Sequence, residues 1–430
     1  MLFFDLLKSK QFIKSFTNKL PLFLYIAKWL IICSIIGISV GSASAFFLWS
    51  LNWVTNFRES HLWLIALLPI GGLLVGLLYH YYGKSVESGN NLLIETIHKP
   101  GETIPFKMAP MVLLGTLITH LSGGSAGREG TALQMAGAIS DQFSKPFGLS
   151  ITDRKILIIA AISAGFGSVF GTPLAGAIFA LEVYMIGRIK YDAIFPAFTA
   201  GIIAHLTCLL WKTPHTHYHI PVLPTLNGLT IIYSIIAGII FGLVAVSFSK
   251  MLLYVSKAYK KIRFAPLRPF VGGIIVAATI WMLGNSKYAG LGIPTIVNSF
   301  NVQLPSYDFA IKIALTILTL AAGFKGGEVT PLFFIGATLG NALSLIIPLP
   351  MGLLAGMGFV GVFAGATNTP IACMIMGIEL FGSECGMYVA IACIVSYLIS
   401  GHTSIYRSQK IGESKHFHFK SDEGKSLSEL

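Results

Sequence analysis

The sequence predicts an all-α polytopic membrane protein built from two repeats with broken helices. Of its 430 residues, 54% are hydrophobic and only 11% are charged, and the mean hydropathy is +0.75. That composition lies far outside the usage of soluble proteins. The runs Trp29–Phe57 and Thr213–Ser249 contain no charged residue, and each exceeds the roughly 20 apolar residues that a spanning helix needs. Because these runs are continuous rather than alternating, they exclude a membrane β-barrel.

An internal duplication is the third observation behind this fold class. The stretch Gly127-Arg128-Glu129-Gly130-Thr131 recurs, in part, as Gly326-Gly327-Glu328-Val329-Thr330, 199 positions later. The segment Pro173–Glu182 has its counterpart in Pro370–Glu379, 197 positions later. Two motifs in the same order at nearly the same offset indicate a repeat. Duplicated halves with interrupted apolar segments are typical of transporters whose site lies at the membrane midplane, between inverted repeats.

Charge patterning divides the chain into five predicted segments. They are a basic amphipathic segment over 1–28, a first transmembrane repeat over 29–249, a basic linker over 250–268, a second repeat over 269–401 and a short tail without a core over 402–430. The net charge of +12 resides mainly in loops and ends. The positive-inside rule explains this better than nucleic-acid binding, and places both termini in the cytoplasm.

The glycine-rich loop Gly123–Thr131 is the predicted functional centre. Glu129 lies there between the apolar runs Met108–His120 and Ala132–Ile139. A charge at that depth is expensive in a membrane and is a functional hypothesis by default. The glycines free the backbone for irregular conformations, and the helix that follows offers its N-terminus as an anion site. Glu129 is therefore predicted to lie where an anion binds.

Other polar residues leave alternatives open. Glu328 is either a proton relay or a helix cap, and Glu182 and Glu379 are interpreted as structural acids near helix ends. His120 is interpreted as a packed helix-end residue. The sequence contains no H-E-x-x-H, and its two G-x-S-x-G matches, Gly37–Gly41 and Gly123–Gly127, lie within or between apolar helical runs rather than after a strand. No intramembrane enzyme is therefore predicted. We also expect no metal site and no resident cofactor, only a transported anion and protons.

The motifs together resemble the CLC family of chloride channels and anion/proton antiporters. They are Gly127-Arg128-Glu129-Gly130, Gly327-Glu328-Val329-Thr330-Pro331, Pro173-Leu174-Ala175-Gly176 and the late Tyr406. The resemblance implies a homodimer with one anion pathway per subunit, and it makes Glu129 the gating glutamate. It also implies an anion-binding set, which we give here in chain order: Ser88, Asn90, Gly127, Arg128, Gly130, Glu328, Val329, Thr330 and Tyr406.

Three departures from the common family pattern favour its bacterial fluoride/proton antiporter branch. The first signature reads Glu87-Ser88-Gly89-Asn90-Asn91, Val329 replaces a usual Phe, and Glu182 is followed by Val183 rather than by a second acid. Fluoride needs strong donors, which the Asn90 amide can supply, and a protonated Glu129 could hold it. The expected function is proton-coupled fluoride export across a bacterial inner membrane. The alternative is a chloride channel or chloride/proton exchanger of the same fold.

Overall fold

The first half of the chain alternates long helices with short, interrupted ones. The structure is a computed structural model that describes the backbone of residues 2–430 and the side chains of residues 20–430. The side chains of the predicted amphipathic segment before residue 20 therefore lie outside the described residues. The first eight helices are α1 Leu2–Ser60, α2 Leu68–Tyr82, α3 Asn90–His98, α4 Met108–Leu121, α5 Glu129–Asp141, α6 Ile151–Phe170, α7 Pro173–Glu182 and α8 Ile194–Leu210.

The second half repeats this order of elements. Its eight helices are α9 Gly228–Lys260, α10 Leu267–Leu283, α11 Ile293–Asn298, α12 Asp308–Ala322, α13 Val329–Leu343, α14 Met351–Thr367, α15 Pro370–Phe381 and α16 Gly386–Ile399. The order assigns α9 to the second repeat, as the counterpart of α1. The predicted boundary at residue 249 therefore falls inside a helix, and we place the division before Gly228. The predicted linker is largely the end of α9.

Four of the described helices are long and apolar enough to cross a membrane: Leu20–Ser60 within α1, Leu62–Tyr82 (α2 with the turn before it), Tyr191–Leu210 (α8 with the turn before it) and α9. The remaining apolar helices are shorter, including α4, α7, α13 and α15. Short helices with irregular ends are tolerated at membrane depth only where protein or a cavity surrounds them. The expected combination of spanning and broken helices is thus present.

Equivalent hydrogen bonds in the two halves reveal the repeat in space. Gly127 and Gly327 exchange two backbone hydrogen bonds, of 2.6 and 2.8 Å. The Ile104 N–H donates to the Asp141 carboxylate at 2.8 Å, and 200 positions later the Leu304 N–H donates to Asn341 at 2.9 Å. These contacts repeat at an offset of 200, one residue more than the motif alignment. In this register Glu328 corresponds to Arg128, each being the residue that immediately precedes its helix.

Two glutamates cap each other's helices across the repeats. Glu379 accepts hydrogen bonds from the N–H groups of Leu174 (3.1 Å) and Ala175 (2.7 Å) at the start of α7. Glu182 accepts from Ile371 (3.2 Å) and Ala372 (3.0 Å) at the start of α15. A carboxylate is favourable there because the first N–H groups of a helix lack partners and carry partial positive charge. The structural interpretation of Glu182 and Glu379 agrees with these contacts.

Replacing Glu379 with Gln is expected to destabilise the protein by about 1 kcal/mol, the typical contribution of a helix cap. The amide keeps the shape but loses the charge that complements the helix N-terminus. Thermal unfolding in detergent measures the change, with Glu384→Gln as the control because Glu384 is exposed just beyond the same helix. Equal melting temperatures for the two variants would contradict the capping role.

Helices α13 and α14 pack backbone against backbone. A Cβ added at Gly336 would collide with the Gly358 carbonyl, and one at Gly340 would collide with the Leu354 carbonyl. Small residues at this spacing allow the close approach on which helix association in membranes depends. The contact fixes α13, whose N-terminus forms part of the site.

The tail packs against the rest of the chain, so the expectation of a tail without a core is wrong. Residues Lys410–Ile411 form a short strand, β2, parallel to β1 at Met185–Ile186. Ile186, Ile411 and Leu427 form a small buried cluster. Lys415 donates to Asn368 Oδ1, the Tyr397 carbonyl and Ser400 Oγ at 2.5, 2.6 and 3.0 Å. Burial lowers the pKa of the Lys415 ammonium well below its usual value.

Candidate anion site

The loop that carries Glu129 is held by buried polar contacts. Ser125 is tied to the second repeat, its N–H donating to Thr319 Oγ1 at 3.2 Å and its hydroxyl lying 3.0 Å from Thr316 Oγ1. His120 Nε2 lies 3.3 Å from the Gly127 carbonyl oxygen. The buried Arg58 donates to the His120 carbonyl at 3.0 Å. Both repeats therefore determine where α5 begins.

The Glu129 carboxylate reaches across to the N-terminus of α13, in the other repeat. The Thr330 N–H donates to Oε2 at 3.0 Å, and the Thr330 hydroxyl lies 2.6 Å from both carboxylate oxygens. On its own side the Arg128 N–H donates to Oε2 at 3.2 Å, and Arg128 Nε lies 3.5 Å from Oε1. The side chain is fully buried.

This position is one that a small anion can occupy. Helix N-termini direct N–H groups and partial positive charge toward an anion, and here α5 and α13 begin on either side of the Gly127–Gly327 contact. The carboxylate occupies such a place as a tethered anion.

Two vestibules lie at opposite ends of α10: Arg268 and Pro269 at its start line the first, and Ser286 and Lys287 just beyond its end line the second. The basic vestibule has a volume of about 860 Å³; five lysines or arginines and two glutamates line it, namely Lys84, Lys260, Arg268, Lys325, Arg407, Glu87 and Glu328. The opposite vestibule, of about 670 Å³, includes Arg58, Arg128, Thr213 and Lys287 in its lining. Since α10 has 17 residues, its ends lie about 25 Å apart. Both cavities favour anions by charge.

The structure brings most of the predicted residues together around Glu129. Besides Gly127, Arg128 and Thr330, these include Asn90, whose amide nitrogen would lie 2.8 Å from a Cβ added at Gly130. The Asn90 Oδ1 atom is buried without a hydrogen-bond partner within the described part of the chain. Val329 is fully buried in the first turn of α13. Asn90 therefore lies beside the first turn of α5.

The remaining predicted residues lie toward the basic vestibule or behind the site. Ser88 and Glu328 line the basic vestibule, and Ser88 is exposed there. Glu328 makes no side-chain cap of α13, which removes the capping alternative, and its Oε2 is buried without a partner in residues 20–430. Tyr406 is buried with its hydroxyl likewise unpartnered, and its ring meets that of Phe179 edge-on.

Two residues near the site have roles that the sequence interpretation missed. His120 was expected to be mere packing, yet it contacts the carbonyl of Gly127. Lys325 was not singled out, although it lines the basic vestibule beside Glu328. The available signal was a lysine directly before Gly326-Gly327, a charge next to a loop already identified as functional.

Thr330→Val is expected to loosen the hold on Glu129. The variant removes one hydrogen bond to a charged group, which contributes about 1.5–3 kcal/mol and corresponds to a roughly 10- to 150-fold loss of this conformer. Anion flux in liposomes is then expected to rise relative to proton flux. Thr338→Val is the matched control, because the Thr338 hydroxyl donates to Phe334 within the same helix. A coupling ratio unchanged in Thr330→Val would contradict the expectation.

Comparison with known proteins identifies the family of the chain. The profile of the voltage-gated chloride channel family matches residues 71–401. A relative from Pseudomonas syringae pv. tomato, named a chloride/fluoride channel protein, is 51% identical over 406 residues, covering 93% of this chain and 90% of that protein. A chloride/proton exchange transporter, ClcA, from Cronobacter sakazakii is 24% identical over 385 residues, covering 82% of this chain and 81% of its own length.

Solved structures agree with these relatives. The crystal structure of a CLC-type fluoride/proton antiporter superposes with a TM-score of 0.86 at 36% identity, covering 89% of this chain and 98% of that one. A slow cyanobacterial chloride/proton antiporter has the same fold, with a TM-score of 0.76 at 19% identity, covering 87% of this chain and 94% of that one.

Proposed function

This multi-pass integral membrane protein belongs to the CLC family of voltage-gated chloride channels and related transporters, and within that family we propose that it exports fluoride in exchange for protons. The proposal draws on its similarity to a relative named for chloride and fluoride and to a solved fluoride/proton antiporter. It requires only the anion and protons, with no bound cofactor.

The position of the Glu129 carboxylate carries the proposal. Glu129 follows Arg128, which lines one vestibule, and it accepts hydrogen bonds from Thr330, two residues after Glu328, which lines the other. When ionised, it competes with an anion for those donors. Protonation neutralises it, weakens those bonds and leaves the donors for fluoride, while the new O–H can donate a strong hydrogen bond to that fluoride. Anion and proton movements are then linked through one side chain.

The basic vestibule faces the cytoplasm in this proposal. The segment between α9 and α10 carries Lys261 and Arg263, and Arg268 follows in the first turn of α10, with no acid among them. The positive-inside rule places such a segment on the cytoplasmic side. Fluoride enters from the cytoplasm through this vestibule, and protons enter through the opposite one. The membrane is the bacterial inner membrane, with both termini in the cytoplasm.

Glu328 supplies an acid on the cytoplasmic side of Glu129. It lines the basic vestibule and makes no cap hydrogen bond to α13. The position after Glu182 is the buried, apolar Val183, so no carboxylate can serve there. Glu328 can therefore relay the proton between Glu129 and the cytoplasm. Asn90 and the Tyr406 hydroxyl, both with unpartnered oxygens, complete the polar lining, and Tyr406 can also donate to the anion.

A passive anion channel is the second candidate, favoured by that same Val183, since a channel needs no inner acid. Purified protein in liposomes loaded with fluoride or with chloride separates the two. Anion efflux and external pH are recorded together. Fluoride efflux with proton uptake in a fixed ratio and little chloride movement supports the antiporter. Anion efflux without proton movement would establish a channel and overturn the proposal.

The homodimer that the resemblance implies is also part of this proposal. Each chain has its own Glu129 and its own pair of vestibules, so a dimer would contain two independent pathways. Cross-linking of the protein in membranes, followed by gel electrophoresis, tests this directly. A species of twice the chain mass is expected, and a product that remains monomeric at saturating cross-linker would contradict it.

A further inference from the structure

Lys325 lines the basic vestibule, where its side chain is held between Tyr79 and Gly115. Its Nζ lies 3.8 Å from the centroid of the Tyr79 ring. On the other side its stem rests against α4, since a Cβ added at Gly115 would lie 2.9 Å from Lys325 Cβ and Cγ. The aromatic face and the glycine hold the ammonium without consuming its N–H donors, because an aromatic ring attracts a cation through its quadrupole rather than by a lone pair.

Lys325 shares the basic vestibule with two acids, Glu87 and Glu328, but makes no direct ion pair with either in the described residues. No carboxylate lies within 4.0 Å of it in the described residues, and no oxygen there accepts a hydrogen bond from its Nζ. An ammonium at membrane depth without a direct ion pair is costly and is normally retained for function. Lys325 lines a cavity whose lining also includes Ser88 and Glu328.

Lys312 shows what a purely structural lysine looks like in this fold. It is fully buried, and its Nζ donates to the carbonyls of Tyr288 and Gly290 at 3.0 and 2.7 Å. It does not line either vestibule described above. Lys325 differs on both counts, because its Nζ donates no hydrogen bond to the described residues and because it lines the basic vestibule.

We propose that Lys325 is the residue that loads the small transported anion from the basic vestibule onto the pathway. Held by Tyr79 and Gly115, its ammonium binds the partly dehydrated anion just before the Gly326-Gly327-Glu328 loop, two residues ahead of the contact with Gly127 and Glu129. The inference rests on the proposed function for the identity of the anion and the direction of transport. It adds a residue that determines the affinity for the anion at the cytoplasmic side.

The test compares Lys325→Met with Lys84→Met in liposomes. Lys84 lines the same vestibule but is exposed. Its variant therefore removes the same charge from the vestibule and leaves the contact between Lys325 and Tyr79 intact. Initial fluoride efflux is measured against internal fluoride concentration. We expect the half-saturating concentration to rise about tenfold or more in Lys325→Met, from the loss of one charged hydrogen bond. The maximal rate is expected to be retained, and Lys84→Met is expected to change little.

A chemical rescue keeps the proposal testable if Lys325→Met fails to fold. Lys325→Cys is treated with an aminoethyl methanethiosulfonate, which restores an ammonium, or with methyl methanethiosulfonate, which does not. Recovery of fluoride affinity only with the amine supports the loading site. The five native cysteines are all buried, and treated wild-type protein is the control. Equal affinities with both reagents, or equal effects of Lys325→Met and Lys84→Met, would overturn the proposal.

The outcomes separate this inference from the proposed function. If the wild type moves chloride without protons, the proposed function fails, and the same affinity comparison with chloride still tests Lys325. If the wild type exchanges fluoride for protons but Lys325→Met keeps the wild-type half-saturating concentration, only the loading inference fails.

Discussion

Glu129→Gln abolishes proton movement, reducing it to the background of protein-free liposomes, while anion movement persists. Glutamine is close in size and retains an oxygen that can accept from Thr330, but it cannot take up or release a proton. It also carries no charge to compete for the helix N-terminus that Glu129 now occupies. Simultaneous recording of fluoride efflux and external pH measures the effect.

The control for this variant is Glu59→Gln. Glu59 lines the opposite vestibule but is exposed, and it pairs with Arg58 at its rim. We expect its coupling to match that of the wild type. If Glu129→Gln left both proton and anion transport unchanged, Glu129 would not be the coupling group and the proposed function would lose its main support.

Asp141→Asn is expected to lower the free energy of unfolding by about 3–5 kcal/mol, the cost of removing one partner from a buried ion pair. Asp141 is fully buried and receives two hydrogen bonds from Arg154, both of 2.8 Å, as well as the Ile104 N–H. Arg154 also donates to the carbonyls of Gly101 and Glu102. Without the carboxylate, the guanidinium charge stays buried and uncompensated.

Asp192→Asn provides the control for Asp141→Asn. Asp192 pairs with Lys190 at 2.7 Å but is about half exposed, so its loss is expected to cost less than about 1 kcal/mol. Thermal unfolding in detergent and the yield of folded protein compare the two. In the second repeat the neutral Asn341 already takes the same place, bonded to Gln303 and Leu304 rather than to an arginine. Melting temperatures that fall equally in both variants would contradict the expectation that the buried ion pair contributes more to stability than the exposed one.

The amino-acid sequence by itself determined the fold class, the duplication and the loop around Glu129. Each of these depends on local features: charge-free runs long enough to span, motifs repeated in order, and glycines beside an acid at membrane depth. The same local information predicted Asn90 and Tyr406 as site residues, through motifs that resemble a known family. The repeated segments Pro173–Glu182 and Pro370–Glu379 coincide with α7 and most of α15, whose first helical positions are these prolines.

The tertiary structure alone decided which groups meet. The hydrogen bond from Thr330 to Glu129 joins residues 201 positions apart. The contacts of Lys325 with Tyr79 and Gly115 bring α2 and α4 against the loop before α13. Neither contact produces a periodic pattern in the amino-acid sequence. The motif alignment set Glu328 opposite Glu129, whereas the hydrogen bonds set it opposite Arg128. Hydrogen bonds and ion pairs depend on atom positions within fractions of an ångström, and these are fixed only when both repeats pack together.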